Sequence, residues 1–235
     1  MRTKCKRGRK GDFLMSVIVI AVDGTAASGK GTLAKKLAQH FRFASLDSGS
    51  LYRLVALGVA DAGGDPSREE DAVAAARAID EARRDDPRLR SAEIGHAASV
   101  VSVFPEVRKA LLSFQRAFAA HPPGAAKGAV IDGRDIGTVI CPDATAKLFV
   151  DATPGVRAHR RWLELKSRGE IADEAKLVAE IVDRDKRDSE RPISPSRPAA
   201  DALLLDTTHL DIDAAFAAAL ALVKPKVEEA LKALP

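Results

Sequence analysis

The clearest chemistry in the chain lies in ten consecutive residues, Asp23-Gly-Thr-Ala-Ala-Ser-Gly-Lys-Gly-Thr32. Gly24, four residues, then Gly29 and Lys30 is the spacing at which successive backbone N–H groups curl around a phosphate while a lysine reaches the outer phosphoryl groups. Gly24, Thr25, Ala26, Ala27, Ser28, Gly29, Lys30, Gly31 and Thr32 are therefore predicted to hold a nucleoside triphosphate. The strict form of this pattern places Ser or Thr directly after the lysine, where its hydroxyl holds magnesium. Here Gly31 intervenes and the hydroxyl arrives at Thr32, the one candidate for a metal-side contact other than water.

Three further clusters carry charge or hydroxyls at positions that suit a phosphoryl acceptor. Asp47-Ser48-Gly49-Ser50-Leu51-Tyr52-Arg53 sets hydroxyls at a helix start with Arg53 one turn on, and the same residues would serve as an ordinary N-cap. Asp132-Gly133-Arg134-Asp135 directly follows an apolar run, at the sheet edge where ligands bind in open α/β folds. Arg184-Asp185-Lys186-Arg187-Asp188-Ser189-Glu190-Arg191 reads as a solvated helix end or as a mobile cationic cover, since guanidinium groups grip phosphate oxygens in pairs.

Such residues need a scaffold, and the pattern supplies one. Val17–Val22 reads as a buried parallel strand, and Leu33, Ala34, Leu37, Ala38 and Phe41 fall at helical spacing after Lys30, so the phosphates would meet a helix N-terminus. Short strands follow near 44–46, 129–131, 146–150 and 203–205. Helices are expected through Tyr52, Val55 and Val59, at about 91–102, 106–119, 154–166 and 173–186, and at the alanine-rich C-terminal end. Residues 65–88, rich in Ala, Arg, Asp and Glu, read as an exposed helical connection. Strands alternating with helices predict an α/β fold with a mainly parallel sheet flanked by helices.

The 235 residues suffice for one α/β domain with small insertions. The net charge is +4, and residues 1–16 hold six basic residues against Asp12, a local +5 that leaves the body at −1. The basic balance thus belongs to the tail, read as an extension over 1–14 without fixed structure, with Met15 as the expected start of the domain 15–235. Aromatic residues make up 4% of the chain, too few stacking platforms for an RNA-binding reading. The apolar run is too short to span a membrane and leads straight into the phosphate loop. Cys5 and Cys141 lack metal-ligand spacing and suit a reducing compartment, and the five histidines are scattered.

Together these stretches resemble bacterial cytidylate kinase, over about Val17–Val223. The resemblance rests on Gly24–Thr32, Leu46–Arg53, Ala97-Ala98-Ser99 with Phe104-Pro105-Glu106-Val107-Arg108, Asp132–Val139, Arg157-Ala158-His159-Arg160-Arg161, Arg184–Arg191 and Pro198–Ala202, in the family's order. It implies the P-loop kinase fold of the nucleoside monophosphate kinases, with a helical lid over about 168–197 and a monophosphate-binding region over about 48–120. It also implies ATP as donor with Mg2+, CMP or dCMP as acceptor, and a monomeric cytoplasmic enzyme of pyrimidine metabolism that binds neither membrane nor nucleic acid. Catalytic roles fall to Lys30, Arg134, Arg184 and Arg191. Ser48, Tyr52, Arg53, Ser99, Arg108, Asp132, Arg134, Asp135, Arg184, Asp188 and Arg191 line the acceptor site.

The chain departs from that pattern in two places. Many relatives carry Pro-Ser or Pro-Ala after the first glycine, where this chain has Thr25-Ala26, so no hydroxyl contact comes from position 26. Residues 64–90 are short and charged where many members hold a small β-rich insertion, which implies a reduced monophosphate-binding subdomain and bears on the choice among CMP, dCMP and UMP. Rival readings are another P-loop small-acceptor kinase, acting on UMP, AMP or shikimate, and a non-catalytic nucleotide-binding protein. The guanine-reading Asn-Lys-x-Asp motif of GTPases is absent.

Overall fold

The structure, a computed structural model, describes residues 17–234; the tail 1–14, Met15 and Cys5 lie outside the described residues. Five parallel strands form one sheet: β1 (Ile18–Gly24), β2 (Ala44–Asp47), β3 (Gly128–Gly133), β4 (Ala146–Asp151) and β5 (Leu203–Asp206), in the order β2-β3-β1-β4-β5. β1 is central because it is apolar on both faces. Ile18, Ile20 and Val22 pack against α1 (Lys30–Phe41) and α8 (Ile212–Ala233), while Val19 and Ala21 face α5 (Pro105–Ala120). Period-two burial on two sides is what a doubly covered parallel strand requires.

The chain leaves β1 towards β2 and β3 on one side and reaches β4 and β5 on the other, so the order reverses beside β1. The crevice at the carboxyl ends of β1, β3 and β4 is the topological switch point of the sheet. Both the Gly24 loop and the Asp132–Asp135 cluster open there. Register fixes their spacing: Val22 pairs with Asp132 and Asp23 with Gly133.

The remaining helices are α2 (Ser48–Asp61), α3 (Glu69–Arg77), α4 (Ala92–Val101), α6 (Pro154–Ser167) and α7 (Glu174–Glu190). Their starts follow from sequence. The Asp47 side chain accepts the Ser50 N–H at 3.2 Å, Ser91 Oγ accepts the Ile94 N–H at 3.1 Å, Asp173 accepts the Ala175 N–H at 2.9 Å, and proline opens α5 and α6. The cap reading of Asp47 thus holds beside any binding role of its neighbours. α7 runs on through the charged cluster to Glu190, four residues beyond the expected end. Its charges project from a helix.

The expectation for 65–88 needs correction. The stretch holds α3 and two short tight turns, and α3 is not a solvated connection. Ala72 and Ala76 are buried against Leu51, Val55, Val107 and Leu111, and Leu89 is buried in a neighbouring cluster. Small alanines let α3 approach α2 closely, with the Ala75 side chain against Gly58. Composition hid this, because an alanine stripe among charges has a weak apolar signature. An aspartate at position 72 would bury an unpaired carboxylate, so Ala72→Asp is expected to destabilise the chain by ~3 kcal/mol or more in urea unfolding. A loss under ~0.5 kcal/mol would return the segment to the surface.

Candidate active site

β1 delivers the phosphate loop against β4 with no room to spare. A Cβ on Gly24, whose φ is 151°, would stand 2.0 Å from the Val150 carbonyl oxygen, and the Thr25 N–H donates to that same oxygen at 3.3 Å. Only glycine fits. The loop ends with Gly29 in the left-handed region, φ 90°, as the residue before α1.

The carbonyls of this loop are taken up on its outer side. Thr25 O accepts from Ser28 Oγ at 3.0 Å and Lys30 Nζ at 3.5 Å. Ala26 O accepts from Arg157 Nη1 at 3.0 Å, and Ser28 O from Thr207 Oγ1 at 3.1 Å and Arg160 Nη1 at 3.3 Å. With the Thr25 and Ala26 N–H groups donating to Val150 and Asp185, it is the N–H groups nearer Gly29 that are left to turn inward as a concave anion nest at a helix N-terminus. Thr25 sends its hydroxyl to Asp151 Oδ1 at 2.6 Å, and Thr32 is exposed.

Across the crevice, the end of β3 brings together most of the expected acceptor residues. Arg108 Nη2 donates to Asp135 Oδ2 at 2.5 Å, and Arg191 stands 3.8 Å from the other Asp135 oxygen. Arg134 Nε donates to Asp188 Oδ2 at 2.9 Å, with Arg184 and Arg191 at 4.0 and 3.9 Å from the same carboxylate. The Arg108 guanidinium lies over the Tyr52 ring, 5.5 Å from its centroid. Ser99 Oγ, Arg108 Nε, Arg184 Nε and Arg191 Nη2 are buried without a hydrogen-bond partner. Unspent buried donors on this scale point to a polar ligand.

Ser48 is buried against Gly133, where an added Cβ would lie 2.5 Å from its hydroxyl. Arg53 donates to Leu89 O at 2.7 Å and lies near enough to Arg184 to add to the repulsion on it. Asp132 is buried beside Gly31, 3.5 Å from where a Cβ would stand. A cavity of about 180 Å³ lined by Thr25, Arg134 and Asp188 joins the two half-sites. A second, of about 620 Å³, opens on the far side of Thr25 between Asp151, Pro154, Arg157 and Thr208.

The electrostatics match this layout. Burial lowers the Lys30 ammonium to about 7, helped by Arg134, with Asp132 and Asp47 only partly offsetting them. Burial and the neighbouring Asp47 raise Asp132 to about 7 against the pull of Lys30. Burial also lowers Arg184, to about 10, with Arg134 adding repulsion. Burial would raise Asp188, but Arg134, Arg184 and Arg191 outweigh it and hold it low.

Several working residues carry no role in the sequence reading. Arg157 and Arg160 stand there only as part of a matching block, yet each binds a loop carbonyl. Their signal was the i,i+3 spacing that puts two guanidiniums on one helix face. Asp23 went unread because it is the first residue of the motif. Its carboxylate accepts the N–H groups of Ile136 at 2.8 Å and Gly137 at 2.7 Å, which fixes the turn immediately after Asp135. The five histidines are exposed, as their scatter suggested.

Comparison with known proteins agrees with this geometry. A family model described as cytidylate kinase matches residues 20–225. A cytidylate kinase of Nitrobacter winogradskyi is 56% identical over 88% of this chain and 96% of its own length. Those of Rhodopseudomonas palustris strain TIE-1 and Afipia carboxidovorans are also 56% identical, over 88% of this chain and 96% and 97% of their own.

Asp23 ties donor loop to acceptor turn, and its ionisation is measurable. Burial outweighs its two N–H donors and raises the carboxyl from 3.8 to about 6. The folded state then holds its proton longer than the unfolded one, so stability from this group is greatest below pH ~4, falls as pH rises to ~6 and is level above. Relative to Asp23→Asn, which cannot titrate, the parent's unfolding free energy should decline over that window. A difference independent of pH would show an ordinary carboxylate.

Proposed function

The chain belongs to the cytidylate kinase family: it transfers the γ-phosphoryl group of ATP to CMP, giving ADP and CDP, and we propose that the two half-sites above divide that work. The observation that carries the assignment is the set of buried, unpartnered arginine donors around Asp135 and Asp188, one strand away from a phosphate loop. Gly24–Thr32 holds the ATP phosphates, and the 620 Å³ cavity beside Thr25 takes the nucleoside of ATP. Ser48, Tyr52, Arg53, Ser99, Arg108, Asp132, Arg134 and Asp135 hold the monophosphate. Arg108 and Asp135 offer a cation and a carboxylate to the donor-acceptor edge of cytosine, and Arg134 and Arg53 serve its phosphate.

Residues 168–197 act as the lid and about 48–120 as the acceptor region of the single domain 15–235. On this reading α7 lays Arg184 and Arg191 over the transferring group while Asp188 faces the sugar. Transfer is in line, with no covalent intermediate: Lys30 and the arginines meet charge that spreads over the phosphoryl oxygens, and the closed lid keeps water from acting as acceptor. No group of three or more His, Cys, Asp or Glu residues among the described residues could hold a metal ion. Mg2+ would be carried mainly on nucleotide oxygens and water, with the Thr32 hydroxyl as protein contact. Bound there, Mg2+ would neutralise phosphate charge.

Both half-sites come from one chain, so a monomer would suffice for the chemistry. No helix among the described residues is long and apolar enough to cross a membrane. We place the enzyme in the cytoplasm, in pyrimidine metabolism. dCMP serves as a second acceptor.

ADP release measured with CMP, dCMP, UMP, AMP and shikimate tests the reading. CMP and dCMP should turn over fastest, and AMP or shikimate at the CMP rate would overturn it. Lys30→Ala should lower kcat by roughly 10²–10³-fold with the fold retained by circular dichroism. Turnover at the parent rate would take the loop out of the chemistry.

A further inference from the structure

Arg157 is 3% exposed and touches neither half of the acceptor cluster, yet it joins three elements. Its Nε donates to Ala152 O at 2.7 Å at the head of α6, its Nη1 to Ala26 O at 3.0 Å in the phosphate loop, and its Nη2 lies 2.6 Å from Asp185 Oδ2 on α7. Each of the three guanidinium nitrogens thus meets a protein acceptor, which holds the fork in place from three sides. The other Asp185 oxygen accepts the Ala26 N–H at 3.5 Å. Residue 26 is thus gripped by its carbonyl from α6 and by its N–H from α7.

Asp185 lies among the three lid residues to which the kinase reading gives a role. Arg184 precedes it, Asp188 follows one turn on, and Arg191 ends the helix. Whatever fixes Asp185 against the loop also fixes where these cations stand above the transferring phosphoryl. We propose that Arg157 and Asp185 are a positioning pair that locks the register of α7 to the phosphate loop, so that a correctly seated loop and a correctly seated lid are one mechanical state. This rests on the kinase reading above. The pair sets geometry for transfer; affinity for CMP comes from other side chains.

A guanidinium bridging two carbonyls and a carboxylate cannot be replaced by an ammonium, because a point charge lacks the fixed fork. Arg157→Lys keeps charge and most of the volume and loses the three-way reach. Asp185→Asn keeps shape and removes the charge. A partly exposed Asp185 side chain makes the second change mild for the fold.

The test uses the full chain with saturating ATP and CMP, both single variants and the double. Each folded single variant is expected to lose kcat at least tenfold while KM for CMP stays within threefold. ATP hydrolysed per CMP phosphorylated should rise at least fivefold, because a misregistered α7 no longer shields the phosphoryl from water. The double variant should be no worse than the worse single, as for two halves of one device.

The proposal is overturned if a folded single variant keeps kcat within twofold, if the losses multiply in the double, or if hydrolysis per transfer is unchanged. Loss that only tracks the unfolded fraction by circular dichroism, or failure of both single variants to fold, assigns the pair to the scaffold and overturns it equally. Absence of CMP phosphorylation by the parent would instead count against the kinase reading.

Discussion

A phosphate loop asks a run of peptides to aim their N–H groups at one point, and that obliges their carbonyls to point elsewhere. Buried carbonyls need partners. Much of the structure can be understood as their supply. Arg157 and Arg160 take the carbonyls of Ala26 and Ser28 from α6, Thr207 takes Ser28 from beyond β5, and Ser28 and Lys30 turn back on Thr25. Two elements distant in sequence must therefore arrive on the outer side of one loop. That requirement sets the place of α6 beside β4 and of the segment after β5, and α6 in turn carries the hairpin partner α7.

The same economy of charge shapes the acceptor side. Arg108, Arg134, Arg184 and Arg191 share Asp135 and Asp188, four cations for two carboxylates. Burying a guanidinium alone would be costly, and pairing makes the cluster tolerable without a ligand. The pairing stops short of completion. A surplus of two positive charges and several unspent N–H groups remain, which suits a doubly charged monophosphate. A saturated network such as that of Arg83 and Arg88 with Asp61 and Asp86 on the surface offers no such opening.

What was legible in sequence divides along the same line. Elements whose signal is local were readable: the apolar run of β1, the glycine spacing of the loop, the cap at Asp47, the helix starts at Pro105 and Pro154. The parallel sheet followed from their alternation. The charged residues that gather at the sheet edge also stood out, since charges after a buried strand, as at Asp132–Asp135, have few structural uses. Residues that act on the backbone did not. Nothing local says that Arg157 will meet residue 26, or Asp23 the amides of Ile136 and Gly137, because those partners are brought by register and crossover. α3 was misread because its contact with α2 depends on small size.

Lys30 shows why such a site can exist in a marginally stable chain. Its ammonium lies in a pocket that burial and neighbouring arginines make hostile to positive charge, enough to bring it to about 7. Burial and Asp47 raise the neighbouring Asp132 to about 7 against the pull of Lys30. Both shifts run towards the uncharged forms, the direction that burying an ammonium and a carboxylate together favours when no anion is bound. An anion held in the loop would favour the charged ammonium instead, so the cost of concentrating cations at the sheet edge would be least where phosphate offsets it.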